Sequence, residues 1–268
     1  MRDIDAVNVP AQHPAPSTQH PSLARYWEVD ALRGVAIVMM VIYHLMWDVY
    51  AYGIAPVDLF GPFWAWSQRA TAGLFLLLVG VALHLRSARW GGLGPAAVLR
   101  RQARRAAVVL GAALIVTAVT WVTVPTGVVV FGILHLIGVA MLLAYPFARL
   151  GLWNGPLGLA VIAAGQPLRG LTVETPWLLP LGLMPRSFAS VDYFPLLPWF
   201  GVVLIGLAVG RAVYGGGRRP PLPDLSGRAP IRLLRLLGRH ALPIYLVHQP
   251  LLVAALWALG LLPPGALG

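Results

Sequence analysis

Four ionisable side chains lie in one apolar stretch of the sequence, residues 27–50, which reads WEVDALRGVAIVMMVIYHLMWDVY. Arg33 and His44 are eleven residues apart, which on an α-helix is about 16 Å along the axis and within about 20° of the same face. Asp48 follows His44 by four residues and Asp30 precedes Arg33 by three, so each carboxylate is spaced to pair with its neighbour. Because imidazole gains and loses a proton near neutral pH, the stripe predicts proton-transfer chemistry.

The elements that carry this stripe are predicted to be membrane helices. Of the 268 residues, 58% are hydrophobic and only 11% are charged, a composition that excludes an ordinary soluble domain. We therefore expect an all-α, polytopic helical bundle. Windows of about 20 residues give seven spans, at 31–52, 63–85, 106–124, 128–147, 152–168, 195–214 and 240–260.

The regions outside the spans are short. Residues 25–268 are predicted to form one transmembrane domain behind a Pro-containing polar tail, 1–24, which we expect to be disordered and cytoplasmic. The tail lacks the apolar core of a secretory signal, so the first helix is expected to stay in the protein. The Pro-rich segment 171–194 leaves room for an additional half-helix.

The distribution of arginine predicts the orientation in the membrane. All 20 basic residues are Arg; six of them fall in the predicted loop 86–105 and seven in the predicted loop 211–239, whereas the loops 53–62 and 125–127 contain none. The positive-inside rule then places the N-terminus in the cytoplasm and the C-terminus outside. The net charge of +11 is explained by this arrangement, so we expect no nucleic-acid partner.

Further histidines lie near or within other spans. They are His84, His135, His240 and His248, of which His135 and His248 are predicted to sit at depth. No HxxxH or HExxH spacing occurs, so we expect no metal site. Cysteine is absent, which rules out disulfides and a cysteine nucleophile.

Several blocks resemble bacterial members of the heparan-alpha-glucosaminide N-acetyltransferase catalytic-domain family. They are EVDALRGVAIVMMVIYHLMWD at 28–48, LFLLLVGVAL at 74–83, FGILHLIGVAMLL at 131–143, DYFPLLPWFGVVLIGLAVG at 192–210 and LGRHALPIYLVHQPLL at 237–252. The chain is more distantly similar to acyltransferase family 3, which has an Arg, ten residues and a His in its first helix, here Arg33 and His44. That family also has an RxxR element before its third helix, which Arg101 and Arg104 match.

This resemblance implies an enzyme of the bacterial inner membrane that takes an acyl group, expected to be acetyl, from cytoplasmic acyl-CoA and delivers it to an outward-facing sugar amine or hydroxyl. The lysosomal branch is thought to use a histidine in its first luminal loop. Here no His lies between 45 and 83, so His44 is expected to take that place as the catalytic base or nucleophile, with Asp48 fixing its tautomer.

The remaining candidate site residues follow from the same resemblance. For the CoA donor we expect phosphate contacts from guanidinium groups and further contacts from imidazoles, which gives Arg33, Arg101, Arg104, Arg105, His135 and His248. For the acceptor glycan we expect Asp192, Tyr193 and Gln249.

Two other classes of function fit the same stripe. In a proton-coupled transporter, Asp30, Arg33, His44 and Asp48 would form a relay without covalent chemistry. A non-catalytic membrane subunit is the third reading. The sequence leaves open the acceptor, the acyl chain length, an acyl-histidine intermediate and whether the protein forms a homodimer.

Overall fold

The computed structural model describes residues 26–215 and 223–263, and the predicted tail 1–24 lies outside them. The described residues form eight α-helices. They are α1 (Trp27–Ala51), α2 (Pro62–Arg89), α3 (Pro95–Thr123), α4 (Ile133–Phe147), α5 (Asn154–Gly165), α6 (Leu196–Tyr214), α7 (Ala229–Arg239) and α8 (Ala241–Ala258). The predicted all-α polytopic class is confirmed.

Each of the seven predicted spans overlaps one of these helices. Five of the helices, α1, α2, α3, α6 and α8, are long and apolar enough to cross a membrane. Helix α4 is apolar but has only 15 residues, and α5 has 12. In place of the additional half-helix considered for 171–194, the chain has a six-residue 3₁₀ helix, Pro176–Leu181.

The stretch 86–105, interpreted from the sequence as a loop, is mostly helical. Helix α2 continues to Arg89 and α3 begins at Pro95, so the Arg101, Arg104 and Arg105 side chains project from a helix. The hydropathy window placed the end of one predicted span and the start of the next at these arginines. The helices extend further because Arg and Ala are good helix formers. Pro95 also suits the first position of a helix, where its missing N–H costs nothing.

Helix α7 was also missed, because the interval 211–239 was interpreted as a charged loop. Its sequence APIRLLRLLGR alternates arginines with leucines at helical spacing. That pattern gives a short amphipathic helix rather than a membrane span. The helix ends at Arg239 and α8 begins two residues later, so the position of α7 determines where α8 starts.

The core of the bundle lies between α2, α4 and α6. Leu76, Leu136 and Leu204, one from each helix, are fully buried there. Small residues let the backbones approach closely, since Gly80 of α2 lies directly against Gly206 of α6. Close approach through small residues is the usual basis of helix packing in a membrane.

Helix α1 lies against α7 through a second glycine contact and an ion-pair cluster. Gly238 of α7 touches the backbone carbonyl of Asp30. Asp30 is 4% exposed, and its carboxylate pairs with Arg33 at 3.2 Å and with Arg239 at 3.4 Å. The predicted pairing of Asp30 with Arg33 is confirmed, and α7 supplies a second guanidinium that the sequence did not indicate.

We expect Gly238→Ala to destabilise the protein by separating α7 from α1. The added Cβ would overlap the Asp30 carbonyl, which is backbone and cannot rotate away. Overpacking of this kind costs about 1 to 3 kcal/mol, measurable as the free energy of unfolding in mild detergent. Gly73→Ala on α2 is the matched control, because its Cβ would enter open space. Equal stability of the two variants would contradict this packing.

Candidate active site between α1 and α8

Two histidines from opposite ends of the chain meet where α1 packs against α8. The imidazole centroids of His44 and His248 are 4.7 Å apart, and the rings are nearly perpendicular. His44 Nδ1 lies 2.9 Å from the carbonyl oxygen of Met40. Because a carbonyl only accepts, Nδ1 carries the proton, and the Nε2 nitrogen of His44 keeps its lone pair for chemistry.

The His248 ring is held in the same way. Its Nδ1 lies 2.7 Å from the carbonyl oxygen of Tyr245, so its Nε2 is also the basic nitrogen. This Nε2 is buried and has no hydrogen-bond partner within the part of the chain that the structure describes. A buried acceptor without a partner is costly, so the Nε2 of His248 is a candidate for accepting a proton.

The predicted hydrogen bond between Asp48 and His44 is wrong. Asp48 Oδ1 instead accepts a hydrogen bond from Gln249 Nε2 on α8, and His44 uses the Met40 carbonyl. A spacing of four residues permits the predicted pair, but α8 brings a better-placed donor to a carboxylate that is only 2% exposed. The role of Gln249 in acceptor binding stays a prediction.

The two other residues predicted for the acceptor, Asp192 and Tyr193, precede α6. Asp192 Oδ2 accepts hydrogen bonds from Ile133 N–H at 3.1 Å and from the Tyr245 hydroxyl at 3.3 Å. Burial raises the pKa of Asp192 to about 6, although both hydrogen bonds act in the opposite direction. Tyr193 donates its hydroxyl to the carbonyl oxygen of Leu179 at 2.7 Å.

Tyr245 joins Asp192 to the histidine pair, and sequence reasoning missed it. Its hydroxyl bonds to Asp192, and its ring centroid lies 5.6 Å from that of His248. The contacts thus continue from Asp192 through Tyr245 and His248 to His44. The sequence does carry a signal for Tyr245. It precedes His248 by three residues in YLVHQ, and residues at this spacing are neighbours on one face of a helix.

His135 is placed differently from the other two histidines. Its Nδ1 accepts from Gly132 N–H at 3.2 Å, and its Nε2 lies 3.4 Å from the Thr117 hydroxyl. Both ring nitrogens are therefore engaged at the start of α4, an arrangement that caps a helix N-terminus. The predicted contact of His135 with CoA stays a prediction.

The arginines predicted for CoA lie on α1 and α3. Arg101, Arg104 and Arg105 are exposed along the first half of α3, and the Arg105 guanidinium carbon lies 5.7 Å from the Trp90 ring centroid. Arg86 of α2, which was counted only for topology, lies close enough to Arg33 and Arg105 for their charges to repel it. Arg86 thereby connects Arg33 with the α3 arginines in one basic face.

Comparison with known proteins supports the resemblance found in the sequence. The sequence model of the family described as "Heparan-alpha-glucosaminide N-acetyltransferase, catalytic" matches residues 25–250. That interval includes His44, Asp48, Tyr245, His248 and Gln249. Searches of curated proteins and of solved structures gave no significant match.

We expect a double-mutant cycle to identify Gln249 rather than His44 as the partner of Asp48. Combining Asp48→Ala with Gln249→Ala should give a coupling energy of about 1 to 3 kcal/mol, because each single change leaves its buried polar partner unpaired. Combining Asp48→Ala with His44→Ala should be additive to within about 0.5 kcal/mol. Unfolding free energies in detergent supply both cycles, and the reverse order of couplings would contradict the observed bonding.

Proposed function

This chain belongs to the heparan-alpha-glucosaminide N-acetyltransferase catalytic family, a family of membrane acetyltransferases. On that basis we propose its acetyl donor and its acceptor. The donor is acetyl-CoA in the bacterial cytoplasm. The acceptor is an amine or hydroxyl of a glycan on the other side of the inner membrane. The observation that carries this proposal is the contact between partly buried His44 and buried His248, each with Nε2 available as a base.

His44 acts as the base in the transfer step. The acceptor nitrogen or oxygen attacks the thioester carbonyl while His44 Nε2 takes its proton, and the new bond to the acetyl carbon forms as the carbon–sulfur bond breaks. The imidazolium then returns the proton to the departing CoA thiolate. Asp48 lies one turn from His44 and accepts a hydrogen bond from Gln249, the neighbour of His248, so it holds α8 against α1 beside the histidine pair.

The basic face formed by Arg33, Arg86 and the α3 arginines supports the choice of CoA. Like charges that repel one another are relieved by a polyanion, and guanidinium groups suit phosphate oxygens. Arg33 and His44 are about 16 Å apart along α1. An extended pantetheine arm would run along this helix and bring the thioester to the histidine pair.

The rival proposal, a proton-coupled transporter, receives less support from the contacts of the stripe. Asp30 pairs with Arg33 and with Arg239 of α7. Asp48 bonds to Gln249, and His44 contacts His248. The stripe therefore divides into separate groups that each contact α7 or α8, whereas a relay along α1 needs its members to contact one another.

We expect His44→Ala to reduce acetyl transfer by at least about a thousandfold while CoA affinity stays unchanged, because the base is lost and the phosphate contacts are not. Release of CoA thiol measures turnover, and the thermal shift with acetyl-CoA measures binding. His240→Ala is the matched control, since His240 is exposed at the start of α8. Full turnover in His44→Ala would reject the assignment, and failure of acetyl-CoA to bind the parent protein would favour the transporter.

We expect the double variant Arg101→Lys, Arg104→Lys to bind CoA more weakly by about 1 to 3 kcal/mol, because Lys keeps the charge but loses the bidentate fork. Insertion should be normal, since the positive-inside rule depends on charge. Arg232→Lys, on the exposed face of α7, is the control. Unchanged CoA affinity in the double variant would mean that these arginines only set the orientation of the protein in the membrane.

A further inference from the structure

A cavity of about 550 Å³ opens at the end of the bundle where α1 ends and α2 begins. This volume lies in the range of small-molecule sites. The segments that follow α3 and precede α6 complete its wall. Its polar and aromatic lining includes Tyr43, Trp47, Gln68, Arg69, Thr126 and Ser190.

Arg69 is the positively charged residue in the lining of this cavity. It lies seven residues into α2, about 10 Å from the helix start, and its side chain is exposed at the cavity. The guanidinium contacts the carbonyl oxygen of Ala65 at 3.4 Å, and it forms no ion pair with any residue that the structure describes. An exposed guanidinium that lines a cavity and has no ion-pair partner there is available to bind an anionic ligand.

The cavity borders the candidate base. The Tyr43 ring lines the cavity, and its centroid is 5.8 Å from that of His44. Trp47, one helical turn after Tyr43, lines the same wall. Two aromatic rings offer broad apolar faces suited to the carbon–hydrogen face of a sugar, while Gln68 and Ser190 offer hydrogen bonds to hydroxyl groups.

We propose that this cavity holds the acceptor, and that Arg69 makes it select a sugar carrying a negative charge, a carboxylate or a phosphate. The acceptor assignment rests on the proposed acetyl transfer, but the charge selectivity does not. A guanidinium can grip either anion through two parallel hydrogen bonds. The sugar ring then lies along Tyr43 and Trp47, with its reacting group directed toward His44.

Sugar binding to the full-length protein in lipid nanodiscs tests this proposal without requiring turnover. The probes form charged and neutral pairs: mannose 6-phosphate with mannose, and glucuronic acid with glucose. The parent protein should bind at least one charged sugar about tenfold more tightly than its neutral partner. The pair that shows the preference distinguishes a phosphate from a carboxylate.

The variants localise the selectivity. Arg69→Gln should remove the tenfold preference while changing the affinity for the neutral sugar less than about twofold, and Arg69→Lys should retain part of the preference. Arg169→Gln is the matched control, because it removes the same charge from a residue that lines a different cavity. Equal binding of charged and neutral sugars by the parent, or equal losses in Arg69→Gln and Arg169→Gln, would overturn the proposal.

Acetyl transfer to the same four sugars separates this proposal from the proposed function. Transfer that shows no preference for charge, together with binding that shows none, would leave the acetyltransferase intact and reject the role of Arg69. Charge-selective binding that depends on Arg69, without any transfer from acetyl-CoA, would support the anion site and reject the proposed reaction.

Discussion

The buried carboxylate of Asp30 constrains the relative positions of α1, α7 and α8. Arg33 reaches it from its own helix and Arg239 reaches it from α7, so a carboxylate that is costly to bury alone is stabilised by bringing α7 against α1. Helix α8 begins directly after α7. The ion-pair cluster therefore sets the point from which α8 extends back along α1 and brings His248 to His44.

The hydrogen bonds of His44, His135 and His248 separate a structural role from the proposed reactive one. His135 uses both ring nitrogens, with Gly132 and Thr117 as partners, and holds the start of α4. His44 and His248 each direct Nδ1 to a backbone carbonyl of their own helix. That bond leaves Nε2 basic, so a backbone carbonyl fixes the tautomer here, as the carboxylate does in a hydrolase triad.

The features predictable from sequence are those determined within one helix. Hydropathy located seven of the eight described helices, and the spacing of three residues gave the pairing of Asp30 with Arg33. The pairing of Asp48 with Gln249 joins residues about 200 positions apart, and nothing in one sequence states that α8 lies against α1. Whether Asp48 accepts a hydrogen bond from His44 or from Gln249 depends on that packing. Helix α7 was missed because its arginines hide its helical period from a hydropathy window.

The separation of the charged groups along α1 bears on how an acetyl group can pass from one side of the bilayer to the other. The basic face lies at the Arg33 end, whereas His44, His248 and the cavity with Arg69 lie toward the other end. A transporter has to move its whole substrate through the helix bundle and therefore needs alternating access. A transferase that anchors CoA at the basic face needs only the thin pantetheine arm to pass along α1. The histidine pair can then remain fixed, as its hydrogen bonds to helix backbone require, while only the acetyl group changes sides.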